Sequence, residues 1–225
     1  MDNAVWLLIG VVGAVVFVAL IVVFVRQSAG DLGPLLEVPR LDVSAVREMQ
    51  DVRVHGAIEV AEEDGLIAPV SGRRVVAYLV RVQEHVTEQR GGGETAQVVR
   101  TWGTEERSTP FHVRDATGAL LVRPDGFEIL SNSDWSTGEA ALPAAAVDRV
   151  EAMLARLDLP RRVPGSKRFF VERAVAVDRP VALSGRARRE VRGEPPQPVV
   201  ETTFVTSPTG GVLRMSQMKR ALDAK

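Results

Sequence analysis

Asp51-Val52-Arg53-Val54-His55-Gly56-Ala57-Ile58-Glu59-Val60 places Val52, Val54, Ile58 and Val60 at every second position on either side of a glycine. Strict alternation marks a strand with one buried face. A glycine inside such a pattern predicts a bulge or a sharp coil, the device by which a small barrel turns a corner. The reading of this stretch therefore points to a curled, mainly β domain.

The residues that follow keep to the same grammar. Leu66 to Gly72, LIAPVSG, is punctuation, and Arg74 to His85 resumes a strand with Val76, Tyr78, Val80 and Val82 on one face. Thr87 to Thr95 is polar with Gly91-Gly92-Gly93 at its tip, and Ala96 to Trp102 returns as the second arm of a long hairpin. Ser108 to Val122 supplies another hairpin, turning at Asp115-Ala116-Thr117-Gly118, and Pro124-Asp125-Gly126 is a further turn signal.

The period changes at Pro143. Val147, Val150, Leu154 and Leu157 form an apolar helical stripe, with Asp148, Arg149, Glu151 and Arg156 on the other face. Proline suits a first helical position, so the helix is predicted from Pro143 to Asp158, packed on an open end or edge of the sheet. Pro180 to Gly185, PVALSG, then resembles the Val52 to Gly56 strand, and Phe204 to Met215 resembles the Phe111 to Val122 hairpin. Val191 to Val200, with Gly193, Pro195, Pro196 and Pro198, reads as an exposed loop.

Upstream, Ala4 to Val25, AVWLLIGVVGAVVFVALIVVFV, contains neither charge nor proline. At about 1.5 Å per residue it is long enough to cross a hydrocarbon core of roughly 30 Å as a helix. A cleaved signal peptide would carry a basic start and a shorter apolar core; here Met1-Asp2-Asn3 precedes the run and Arg26-Gln27 follows it. Arg26, Arg40 and Arg47 lie after the run and Asp2 before it, so the positive-inside rule favours a cytoplasmic domain. Gly10 and Ala14 have the small-xxx-small spacing that lets membrane helices approach, which allows for weak self-association. The organisation expected is a transmembrane helix at 4–25, a juxtamembrane connector at 26–50, a β-rich domain at 51–216 and a tail at 217–225. The fold class is mainly β (α+β): an N-terminal transmembrane helix, then an antiparallel OB-like or split β-barrel with one amphipathic helix.

Composition narrows the chemistry. The chain of 225 residues has a formal net charge of −1, so no global field draws it to nucleic acid, and it has few aromatics to stack bases. Cysteine is absent, which excludes disulfides, thiolate nucleophiles and every Cys-based zinc site.

Val54-His55-Gly56, Leu66 to Gly72 leading into Val76-Ala77-Tyr78, Trp102, Pro110-Phe111-His112-Val113 with Asp115 and Thr117-Gly118, and Glu172 before Val181 to Gly185 together resemble the GIDE domain, also called the beside-a-membrane domain. That domain occurs in mitochondrial RING-type ubiquitin ligases and in prokaryotic relatives. The resemblance covers roughly Arg53 to Met215 and rests on strand and turn residues. It implies a membrane-proximal β module that binds proteins or senses the bilayer, with no catalytic residue to carry over. Ligase chemistry in the eukaryotic relatives belongs to a RING finger, and a chain without cysteine holds none of its zinc ligands. An accessory role in such a pathway would need the catalytic zinc domain on another chain.

Candidate chemistry is sparse. His55, His85 and His112 are the only histidines, and their convergence on a metal would make a metal-dependent enzyme the alternative to a binding module. Ser108, His112 and Asp115 lack the Gly-x-Ser-x-Gly elbow of a hydrolase, and Asp115 and Asp125 sit where turns want aspartate. Gly91-Gly92-Gly93 has no following Lys-Ser/Thr and is no phosphate loop. The candidate interaction surface is Arg161, Arg162, Lys167 and Arg168, with Arg186, Arg188 and Arg189, together with the hairpin tip at Gly92. No catalytic residue, cofactor or metal is assigned. The expected partners are the lipid bilayer and a protein, not nucleic acid.

Overall fold

The computed structural model describes residues 32–60, 65–89, 95–124, 126–130, 135–159, 165–192, 199–205 and 213–223. The apolar run at 4–25, and with it Gly10 and Ala14, lies outside them. Among the described residues no helix is long and apolar enough to cross a membrane.

The chain is mainly β. Strand β1 (Asp51–Val60) pairs antiparallel through residues 51–56 with β10 (Val181–Arg192), then through residues 57–60 with β5 (Phe111–Asp115). The change of partner falls at Gly56, so the glycine does mark a corner. From β5 the chain turns back into β6 (Gly118–Arg123), which runs parallel to β11 (Val199–Val205), and β11 pairs antiparallel with β10. The five strands therefore close in the order β1-β5-β6-β11-β10-β1. Strand β12 (Leu213–Ser216) lies on β10 and runs parallel to β7 (Phe127–Ile129).

Val52, Val54, Phe111, Val113, Leu120, Val122, Leu183 and Met215 are among the buried residues filling this ring. Its core also takes Val43 and Val46, from a short 3-10 turn at Val43–Ala45, with Leu41 packed against it. Pro39 and Leu41 bond to the backbone of Arg53, extending the sheet beside β1. Apolar side chains from the expected connector thus contribute to the barrel core.

The rest of the chain builds a second sheet. Strand β3 (Arg74–Gln89) is flanked on one side by β9 (Lys167–Ala176) and on the other by β2 (Leu66–Ile67) and β4 (Thr95–Ser108), and β9 carries β8 (Trp135–Gly138). Val76 does not share a face with Tyr78. The register against β9 shifts between Val75 and Ala77, so Val76 and Ala77 both enter the barrel core while Val75, Tyr78, Val80 and Val82 line the second core. One extra residue on β3 is what lets a single strand serve two cores.

Two short helices, α1 (Gly33–Leu36) and α3 (Lys219–Asp223), frame the helix seen in the sequence, α2 (Ala144–Arg156). Pro143 stands at the N-cap of α2, and Asp158, with φ +43°, lies just past its end. The buried face is Ala146, Val150 and Met153; Val147 is exposed. That face covers the second sheet at Tyr78, Val80, Val82 and Phe170 instead of an end of the barrel.

Two expectations for the last third fail for one reason. Phe204 to Met215 is not a hairpin, because β11 and β12 each pair with β10, at Ala187–Arg192 and Ala182–Ser184 respectively. Val191, Arg192, Val199 and Val200 are strand residues and not a loop, because β10 is long enough to pair with β11 beyond its contact with β1. Residues 193–198 of the expected loop lie outside the described residues.

Candidate functional site

The β5–β6 hairpin and the segment before β1 border a half-open cavity of about 520 Å³ lined by Val43, Ser44, Val46, Arg47, His112, Thr117, Leu120 and Leu121, among others. Its volume lies in the range of small-ligand sites. Asp115 fixes the two walls to each other. One carboxylate oxygen accepts from Thr117 N (2.7 Å), Thr117 Oγ1 (2.6 Å) and Gly118 N (3.0 Å), and the other from Val43 N (2.8 Å). Hydrogen bonds to the ionised form outweigh burial and hold its pKa below the ordinary aspartate value. Thr117 Oγ1 in turn accepts from Ser44 N at 3.1 Å. Asp115 is thus the turn residue that the sequence indicates, with a second task of docking residues 43–45.

Arg47 enters this cavity from the connector. Its Nη1 donates to the carbonyl oxygens of Ser44 (3.2 Å) and Val46 (3.3 Å). Sequence reading assigned Arg47 a role in topology and found no site at Ser44 or Thr117, since nothing in local periodicity brings residue 44 beside residue 117.

The basic residues proposed as an interaction surface are not gathered. Lys167 and Arg168 open β9 in the second sheet, whereas Arg186, Arg188 and Arg189 lie on β10. Arg168 is largely buried and donates to Glu84 at 3.3 Å, and Arg186 makes a two-pronged bond to Asp51 at 2.8 and 2.9 Å. Arg161, Arg162 and Gly92 lie outside the described residues. Lys167 is exposed beside a groove of about 370 Å³ that also holds His85 and Phe169, whose rings stack at 4.2 Å.

The three histidines are not brought together. His112 faces the cavity on β5, His85 stacks on Phe169 in the second sheet, and His55 lies on β1 opposite Ala182. Among the described residues no three His, Asp or Glu side chains are placed to hold a metal. His55 lies where α1 and α3 pack around Ala182 through Leu32, Leu35 and Ala221. Burial, reinforced by the charges of Arg40 and Arg53, pushes its imidazole down to about 4. Ser108 likewise donates to the carbonyl of Pro124 (2.9 Å), away from any triad.

Beneath α2 lies a polar group of another kind. Tyr78 Oη donates to Glu105 Oε1 at 2.5 Å, and Arg156 of the helix grips the same carboxylate at 2.8 and 3.1 Å. Burial first, then the bond to Glu105, push the phenol up to about 12. Because the folded state favours the protonated phenol, its contribution to stability is whole below the ordinary value of 10.0 and is lost as pH rises toward about 12. Tyr78 is the chain's single tyrosine, so tyrosinate absorbance reads it alone. The expected midpoint is about 12 in the native chain. Glu105→Gln should lower it by removing the carboxylate's charge, while burial keeps it above the unperturbed value of about 10; an unchanged midpoint would contradict the geometry.

Compared with models of known protein families, with curated proteins and with solved structures, the chain matches none.

Proposed function

We propose that the chain is a non-catalytic binding module of the GIDE type, tethered to a membrane by Ala4–Val25 and presenting the outer face of β5 and β6. The observation that carries this reading is the cavity on that face, walled on one side by the residues that lead from the apolar run into the domain. The strand order β1-β5-β6-β11-β10 with β6 parallel to β11 supports an OB-type barrel, in which the second and third strands form the usual ligand face. The bilayer and a protein are its partners.

Two measurements test the reading. A single cysteine at Gly92 in this cysteine-free chain should react with an impermeant maleimide only after cells are lysed, as a cytoplasmic domain requires; labelling of intact cells would reverse the orientation. The full chain should turn over nothing in a broad hydrolase screen. Turnover that disappears in His112→Ala would overturn the non-catalytic reading.

A further inference from the structure

The cavity beside β5 and β6 has a wall of one charge. Among the described residues the guanidinium groups of Arg114, Arg156, Arg168, Arg186 and Arg214 meet the carboxylates of Glu59, Glu105, Glu84, Asp51 and Glu128. Arg47 differs. Two carbonyl oxygens orient it without neutralising it, and no carboxylate among the described residues pairs with it. His112 lines the same cavity, as does Ser44.

The two carboxylates on β5 and on the part of β1 that pairs with it, Asp115 and Glu59, are already committed. Asp115 spends its oxygens on three backbone amides and the Thr117 hydroxyl. Glu59, opposite His112 in the sheet register, is bonded to Arg114. What remains facing the cavity is the rest of a guanidinium fork, an imidazole and a hydroxyl beside the apolar side chains of Val43, Val46, Leu120 and Leu121. A guanidinium fork alone satisfies a carboxylate; donors on two walls suit the three terminal oxygens of a phosphate.

We propose that this cavity binds a phosphate monoester, with the phosphate between Arg47 and His112 and the organic part against Leu121. The proposal rests on the reading of the β5–β6 face as the binding surface and names its ligand chemistry. A soluble phosphate monoester and the headgroup of phosphatidic acid, itself a monoester, share that chemistry.

With only three histidines in the chain, ring-labelled histidine gives a spectrum in which His112 is followed separately from His55 and His85. The full chain is placed in phosphatidylcholine nanodiscs and titrated with glycerol 3-phosphate. A saturable shift of the His112 ring signals, weakened about tenfold or more in Arg47→Gln and partly restored in Arg47→Lys, supports the site with a soluble ester as its source. A shift already present in nanodiscs containing phosphatidic acid, and absent there in Arg47→Gln, supports it with the headgroup as its source. His55 and His85 signals that stay in place report that each variant is folded. No shift of His112 in either arm, or an equal shift in Arg47→Gln, overturns the proposal. Such a failure would leave the tethering, read by cysteine labelling, and the absence of turnover as separate results.

Discussion

Gly56→Ala is expected to cost the domain about 3 kcal/mol, the upper part of the usual range for overpacking a closed core. A Cβ at this position would lie 2.3 Å from the carbonyl oxygen of Arg114 and 2.7 Å from Cγ1 of Val113. The nearer atom is backbone, so no rotamer change relieves the contact. Relief requires β1 and β5 to separate where β1 exchanges β10 for β5, and the pairs from Ala57↔Arg114 to Val60↔Phe111 hold that side of the ring closed. For a chain of this size the loss corresponds to a fall of about 6–12 °C in thermal midpoint, followed by circular dichroism of the full chain in detergent. Gly118→Ala is the control, because its Cβ would meet only Val43 Cγ1 at an ordinary 3.5 Å. Equal midpoints for the two variants would contradict the close crossing of β1 and β5.

The same corner shows which features of the fold local sequence carries. Alternation at Val52, Val54 and Ile58 identifies a buried strand face, and Gly56 marks its bend, because both are properties of neighbouring residues. The likeness between Val52–Gly56 and Val181–Gly185 has a spatial meaning: the two segments pair antiparallel, each glycine opposite the other's valine. Pairing among distant segments is where legibility ends. Val76 looks like one more member of the Tyr78 face until the shifted register against β9 turns it into the barrel. Leu41, Val43 and Val46 look like connector because nothing in their own order says that a barrel core will receive them. The cavity shares that origin, since Arg47 and His112 come to line it together only through the docking of residues 43–45 on the Asp115 turn.

Arginine placement gives the basic clusters a different meaning. Arg168 and Arg186 seem free in a run of basic letters, yet each is spent on a carboxylate from a distant strand. Both pairs, one buried and one exposed, consume charge that a lipid or an acidic partner would otherwise meet. Arg47 is the more informative cation because its neighbours bond it through carbonyls and it lines the cavity.

Glu172→Ala is expected to cost about 3 kcal/mol, and Glu172→Gln about half as much. The carboxylate is 3% exposed and accepts from Val70 N at 2.8 Å and from Ser71 N at 3.2 and 3.3 Å. Those amides belong to a turn whose Ala68 and Val70 are fully buried against Val80, Val150 and Phe170. The turn is closed by Gly72 N donating to Ala68 O at 2.9 Å, and its Pro69 carbonyl accepts from Arg149 of α2 at 3.3 Å. Alanine would strand a buried amide and a second, half-buried one, each an unmet donor costing about 1–3 kcal/mol. Glutamine keeps one acceptor oxygen but turns an NH2 toward the other amide, where two donors face each other. The damage should therefore be local to the second sheet: hydrogen exchange should speed up at Val70 and Ser71 and across the α2 contact before it does so in β1, β5 and β10. Exchange that rises uniformly through both cores would mean that the turn holds the whole domain together, and unchanged exchange at Val70 would contradict the bond itself.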